Sequence, residues 1–165
     1  MAILLKHLHM HKFSTEQFLP ITIGEAWDFF SSPKNLALIT PPEMDFKILS
    51  KIEDKGIFEG QQIEYTVKPL FGIPLKWKTE IGKTLKHNFF TDKQLKGPYK
   101  FWEHTHTFLL QENGVLMKDE VNYKLPFGAL GKLLNKFFIQ QKIENIFSYR
   151  RNTLDKIFLQ NGKHN

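Results

Sequence analysis

Apolar and polar residues alternate with a period of two through much of residues 43–124, then give way to a helical period that runs almost to the end of the chain. Met44, Phe46 and Ile48 alternate with Asp45 and Lys47, and Ile63, Tyr65 and Val67 alternate with Gln62, Glu64 and Lys68. The same alternation predicts strands over Ile73 to Ile81, His87 to Gln94, Tyr99 to Leu110 and Val115 to Lys124. Turns are expected at Phe71-Gly72, Lys96-Gly97-Pro98 and Glu112-Asn113-Gly114. Ahead of these, His11 to Leu19 reads as a first strand stopped by Pro20, and Ile23 to Phe30 as a short helix capped by Thr22. Ser31-Ser32-Pro33 interrupts it, and Asn35 to Ile39 can form another helical turn before Pro41-Pro42.

After Pro126-Phe127-Gly128, the residues Leu130, Leu134, Phe137, Ile143, Phe147, Leu154 and Phe158 fall on one stripe, with neither proline nor glycine between Gly131 and Gly162. A helix of about 28 residues there would be about 42 Å long at ~1.5 Å per residue, enough to cross a sheet. The order is one strand, two short helices, six strands and one long helix. A solvated antiparallel sheet needs a lid on its other face, and the long amphipathic helix is the element able to supply one. The expectation is an α+β helix-grip fold: a curved antiparallel sheet of about seven strands, with the long C-terminal helix over a cavity.

Composition adds three constraints. The 165 residues, 41% hydrophobic with 16 Phe, suit one domain over 1–165 with a dense core or an apolar pocket, residues 1–10 being expected as a disordered end. The absence of cysteine excludes a disulfide frame, a thiolate nucleophile and a sulfur-based zinc site. The opening MAILLKHLHMHKF is too short and too interrupted for a signal peptide, and no run reaches the ~18 apolar residues of a membrane span, so a soluble cytoplasmic protein is expected.

The net charge of +6 is concentrated: residues 130–165 hold seven basic and two acidic residues, or +5. No nucleic-acid module accompanies them, so the basic helix reads first as a solvated face, with transient contact to an anionic membrane or a protein as the alternative.

The segments Trp27-Asp28-Phe29-Phe30-Ser31-Ser32-Pro33-Lys34-Asn35-Leu36, Ile39-Thr40-Pro41-Pro42, Asp92-Lys93-Gln94, Gly97-Pro98-Tyr99 and Trp102-Glu103-His104-Thr105-His106-Thr107-Phe108 resemble an uncharacterised bacterial subgroup of the START-like, polyketide-cyclase (SRPBCC) superfamily. That superfamily includes the birch pollen allergen fold and coenzyme Q-binding START proteins. The resemblance implies a small hydrophobic ligand in an internal cavity, while some members are cyclases or hydratases. Fold alone does not decide between these.

Strict alternation puts Trp102, His104, His106, Phe108 and Leu110 on one inward face. Phe90, Asp92 and Gln94 share a face on the preceding strand, as do Met117, Asp119, Val121 and Tyr123 on the following one, and Trp77, Thr79 and Ile81 earlier. On the final helix Arg150 falls on the stripe of Phe147 and Leu154, and a buried guanidinium needs an anion, for which Asp92 and Asp119 are available. The candidate ligand-binding set is therefore Trp77, Thr79, Asp92, Gln94, Trp102, His104, His106, Asp119, Tyr123, Phe147 and Arg150.

These groups can form a polar network fixing the helix, the polar end of a ligand pocket, or both. They favour a noncatalytic carrier of a lipid, quinone, isoprenoid or polyketide-like molecule. A cyclase or hydratase would use His104 or His106 as acid or base with Asp92 or Asp119; no nucleophile elbow, phosphate loop or oxyanion hole is identified. His104-Thr105-His106 with a carboxylate is also a two-histidine, one-carboxylate pattern, but His-x-His is common by chance and neither metal nor cofactor is assigned on it.

Overall fold

The computed structural model describes residues 10–52, 56–69, 72–126, 133 and 135–159. Seven strands form one antiparallel sheet in the order β1-β7-β6-β5-β4-β3-β2. They are β1 (His11–Leu19), β2 (Lys47–Ile48), β3 (Gln62–Val67), β4 (Leu75–Leu85), β5 (Phe89–Lys96), β6 (Phe101–Gln111) and β7 (Gly114–Lys124). The helices are α1 (Ile23–Phe30), α2 (Pro33–Leu36) and the long α3 (Gln140–Leu159). This is the helix-grip α+β arrangement. No described helix is long and apolar enough to cross a membrane.

The first elements follow from local chemistry. Pro20 has no N–H to extend the ladder, so β1 ends at Leu19. Thr22 and Glu25 then form a reciprocal capping box: Glu25 N–H donates to Thr22 Oγ1 at 3.2 Å, and Thr22 N–H donates to Glu25 Oε2 at 2.8 Å. The second helix begins at Pro33, earlier than the expected Asn35, because the fixed proline φ suits the first helical turn. The strand expected from Met44 shrinks to Lys47–Ile48. Pro42–Met44 instead makes a 3-10 turn, closed by Asp45 in the left-handed region at φ 45°.

Pairing shifts between Ile81 and Thr84, so Gly82 and Lys83 form a bulge that bends β4. His87 belongs to the β4–β5 turn with φ 64° and does not start the strand, which begins at Phe89. The β6–β7 hairpin turns through Glu112 and Asn113, the latter at φ 65°. Gly114 follows where a Cβ would lie 2.3 Å from the Leu19 carbonyl oxygen and 2.6 Å from Phe18 Cζ. The Phe18 ring can turn aside, but the Leu19 backbone is fixed by its pairing with Val115. Gly114→Ala is therefore expected to destabilise the fold by about 1–3 kcal/mol, the usual cost of overpacking, measurable as a lower urea midpoint at constant m-value.

A π-type turn at Asn135–Ile139, whose last residue is buried, leads into α3, whose buried face is Ile143, Phe147, Arg150 and Leu154. The widened turn holds an extra residue and so rotates what precedes it. Phe137, expected on the buried stripe, is 59% exposed as a result. The rest of the anticipated helix, at 127–132, 134 and 160–162, lies outside the described residues, as do Phe71 and residues 1–9. Polar bonds fasten α3 to the sheet edge: Arg151 Nη2 donates to Thr15 Oγ1 at 2.9 Å, and Gln17 Nε2 donates to Asp155 Oδ1 at 2.8 Å and Arg151 O at 3.1 Å. Two of the seven C-terminal cations, Arg150 and Arg151, are thus committed to the fold rather than to a solvated basic face.

Inside, Trp27, Phe90, Phe108, Met117 and Leu154 centre one apolar cluster. Val121, Tyr123, Ile143 and Phe147 centre a second, and Met44, Val67 and Trp77 a third. Leu110 does not join them. It is 74% exposed, because β5 pairs with β6 only as far as Thr107 and leaves the end of β6 uncovered on that side.

Candidate functional site

The three clusters do not close on one another. Between them lies a cavity with about 180 Å³ open to the centres of water-sized molecules. At ~10–15 Å³ per water by that measure, it has room for roughly a dozen. Phe29, Phe30, Leu36 and Ile39 from the helical pair line one part. Ile63, Tyr65, Val67 and Trp77 line the sheet side, and Ile143, Ile146 and Phe147 contribute from α3.

The polar wall is built by register. His104 and His106, two residues apart on β6, hang from the same face. Asp92 of β5 lies directly opposite His104, and Asp119 of β7 directly opposite His106, so one carboxylate flanks the histidines on each side. Asp119 Oδ1 is 2.8 Å from His104 Nε2 and 2.9 Å from His106 Nδ1, the second contact lying off hydrogen-bond alignment. Asp92 Oδ2 is 3.6 Å from His104 Nδ1 and 3.4 Å from His106 Nε2. The imidazole centroids are 3.8 Å apart. Carboxylate and imidazole alternate around a closed four-membered ring of residues.

Arg150 completes the wall from α3. It is 8% exposed, its Nη1 is 4.0 Å from Asp119 Oδ1, and its Cζ stands 4.7 Å from the Phe147 ring centroid. A contact of 4.0 Å is an ion pair without a hydrogen bond. Arg150 Nε and Nη1, Trp77 Nε1 and His106 Nδ1 are buried with no hydrogen-bond partner among the described residues.

Burial, and then the neighbouring His106, holds the His104 imidazole below the ordinary histidine range. For His106 burial acts in the same sense, but Asp119 and Asp92 outweigh it and hold the group above that range. Burial works to raise Asp119, yet its two histidine contacts keep the carboxyl well below the usual carboxylate range. Burial also draws Arg150 down against the pull of Asp119 and Asp92.

Trp77, Thr79, Asp92, Trp102, His104, His106, Phe147 and Arg150 all line the cavity. Asp119 stands behind the histidines, away from the void. Gln94 turns elsewhere: its Nε2 donates to Tyr99 O at 2.7 Å and its Oε1 accepts from Tyr99 N–H at 3.3 Å, which clamps the β5–β6 turn. Tyr123 is packed in the core with Val121 and Ile143. Tyr65, whose hydroxyl meets Thr79 Oγ1 at 3.2 Å and whose pKa burial pushes up, also lines the cavity, as do Ile143 and Ile146, and none of the three stands out in the sequence as a pocket residue. Tyr65 and Ile143 sat in the strand and helix patterns, but nothing in those patterns separates a core position from a cavity wall.

Solved structures share this helix-grip fold. TTHA0849 from Thermus thermophilus matches with a TM-score of 0.65 and 17% identity, covering 91% of this chain and 98% of that one. Ara h 8.0201 matches at 0.55 and 14%, over 88% and 97%. The di-domain ARO/CYC StfQ of the steffimycin biosynthetic pathway matches at 0.61 and 10%, over 90% of this chain and 52% of that one. No protein-family model and no curated protein matches the sequence.

Proposed function

We propose that this protein is a noncatalytic binding or carrier protein for a small hydrophobic molecule that carries one oxygen acceptor, held in the internal cavity with its polar end at Arg150. The observation that carries this reading is a cavity walled mostly by apolar and aromatic side chains, with Arg150, whose contact to Asp119 is 4.0 Å and makes no hydrogen bond, among its few charged lining residues. An unmet buried donor costs about 1–3 kcal/mol, which a ligand carboxylate, phenolate or carbonyl would recover. The apolar walls supply affinity for the body of the ligand. Quinones, isoprenoids, lipids and polyketide-like acids share this chemistry. The likeness to an ARO/CYC protein and the sequence resemblance to coenzyme Q-binding proteins make polyketides and quinones the first to test.

The test uses 2-naphthoate and its neutral methyl ester, which match the cavity in size. The protein should bind both, and Arg150→Met should weaken naphthoate by about 10–100-fold, the worth of a charged hydrogen bond, while leaving the ester nearly unchanged. Equal losses for both ligands, or no binding of either, would remove the assignment.

A second reading has one observation in its favour. His104 and His106 border the void, as an acid/base pair in a cyclase or hydratase must. Mass spectrometry of a co-purified ligand, before and after prolonged incubation with fresh protein, separates the two. A carrier returns it unchanged in mass and fragmentation; a hydratase changes its mass by one water, and a cyclase changes its fragmentation even where the mass is kept.

A further inference from the structure

We propose that Asp92, His104 and His106 form a binding site for a first-row divalent transition-metal ion, with Asp119 orienting the His104 imidazole from behind. Asp119 Oδ1 lies 2.8 Å from His104 Nε2, which donates to it and so leaves His104 Nδ1 with the lone pair of a neutral ring. His104 Nδ1 faces Asp92 Oδ2 at 3.6 Å, and His106 Nε2 meets the same oxygen in a long 3.4 Å hydrogen bond, whose proton a bound cation would replace. Two imidazole nitrogens and one carboxylate oxygen thus converge at 3.4–3.6 Å, a ligand set that a cation displacing the His106 proton would draw together.

The spacing fits such a cation. One ligand atom from each of the three residues lies within 4.8 Å of the other two. Ligands bonded at ~2.0–2.2 Å with angles between octahedral and tetrahedral are about 3.0–3.4 Å apart, so the 3.6 and 3.4 Å distances to Asp92 need to shorten by at most a few tenths of an ångström, and the two nitrogens start within 4.8 Å of each other. Two imidazoles with one carboxylate suit zinc or ferrous iron and leave further coordination positions open. All three residues line the cavity, so those positions face it.

Asp119 supplies what isolated His-x-His pairs lack. Metal-bound histidines characteristically donate their other N–H to a carboxylate, which sets the tautomer and the ring orientation. Here buried Asp119 does so for His104 at 2.8 Å and stands 2.9 Å from His106 Nδ1. Arg150, 4.0 Å from Asp119, keeps the local charge from becoming strongly negative, so the ion, Arg150 and an anionic ligand would be mutually compensating. The metal proposal stands independently of the carrier reading: a carrier needs no ion, and an ion needs no hydrophobic ligand.

Cobalt(II) is the probe, titrated into EDTA-treated protein carrying His7→Ala and His9→Ala, which removes adventitious binding by the N-terminal histidines. One equivalent should bind and develop visible d–d absorption, and zinc should displace it. His104→Gln and Asp92→Asn should each abolish the spectrum. Asp119→Asn should keep the 1:1 stoichiometry but weaken affinity by about 10–100-fold. Circular dichroism on each variant separates lost binding from lost folding, and Asp92, being only partly buried, is the variant expected to stay folded. Absence of saturable cobalt or zinc binding in the parent protein overturns the site, as does binding unchanged in folded Asp92→Asn. Naphthoate binding by the same metal-free protein decides the carrier reading separately.

Discussion

Asp119→Leu is expected to lower the unfolding free energy by about 3–5 kcal/mol, the range for removing one partner of a buried ion pair. Asp119 is only 6% exposed, and its Oδ1 is the shared partner of His104, His106 and Arg150. Its loss leaves a buried guanidinium facing two imidazoles with no anion between them. The neighbouring Glu120 makes the contrast: it points outward, 43% exposed in its side chain, and its 2.7 Å bridge to Lys12 is solvated. Glu120→Ala should therefore cost under about 1 kcal/mol. Adding Arg150→Met to Asp119→Leu should restore part of the loss, because the unpaired charge goes with it. Urea denaturation of the two single variants and the double variant measures this coupling. If Asp119→Leu cost no more than Glu120→Ala, the network would not be buried as described.

Asp119 and Glu120 also show what the sequence discloses. Alternation along β7 placed one inward and the other outward without knowledge of any partner strand, because the pleat enforces it. The same rule found His104, His106, Asp92 and Trp77, and helical spacing found Arg150 and Phe147. β1 and α1 were legible to the residue, since Pro20 and the Thr22–Glu25 box are local devices acting within a few residues.

The less legible features depend on distant parts of the chain. The π-type turn that turns Phe137 outward leaves no composition signal. Leu110 looked inward because nothing in β6 reveals that β5 stops short of it. Gln94 shared a face with Asp92, but its amide had a nearer use across the turn at Tyr99. The convergence of Asp92 and Asp119 on opposite edges of the two imidazoles rests on strand register across three strands, so alternation could name the residues but not their geometry.

The second large effect is expected at Trp27, and it divides α1 into a structural and a ligand-facing side. Trp27→Ala should destabilise the protein by about 3–5 kcal/mol, as for other buried Trp or Phe truncations. Its ring is packed edge-on against Phe90 at 6.0 Å and Phe108 at 6.0 Å, and it does not line the cavity. Phe30, one helical turn on, is half-buried and lines the void while its ring touches Phe108 at 5.6 Å. Phe30→Ala should cost less stability, because its ring already has a free side. It should instead enlarge the cavity and shift the preferred ligand toward longer apolar bodies. Chemical denaturation and a naphthoate-to-anthracene-carboxylate series on both variants measure the two axes together. Trp27→Ala should move stability while leaving the rank order of ligands intact, and Phe30→Ala should reorder the ligands with a smaller stability change. Reordering by Trp27→Ala alone would place the cavity mouth on the other face of α1.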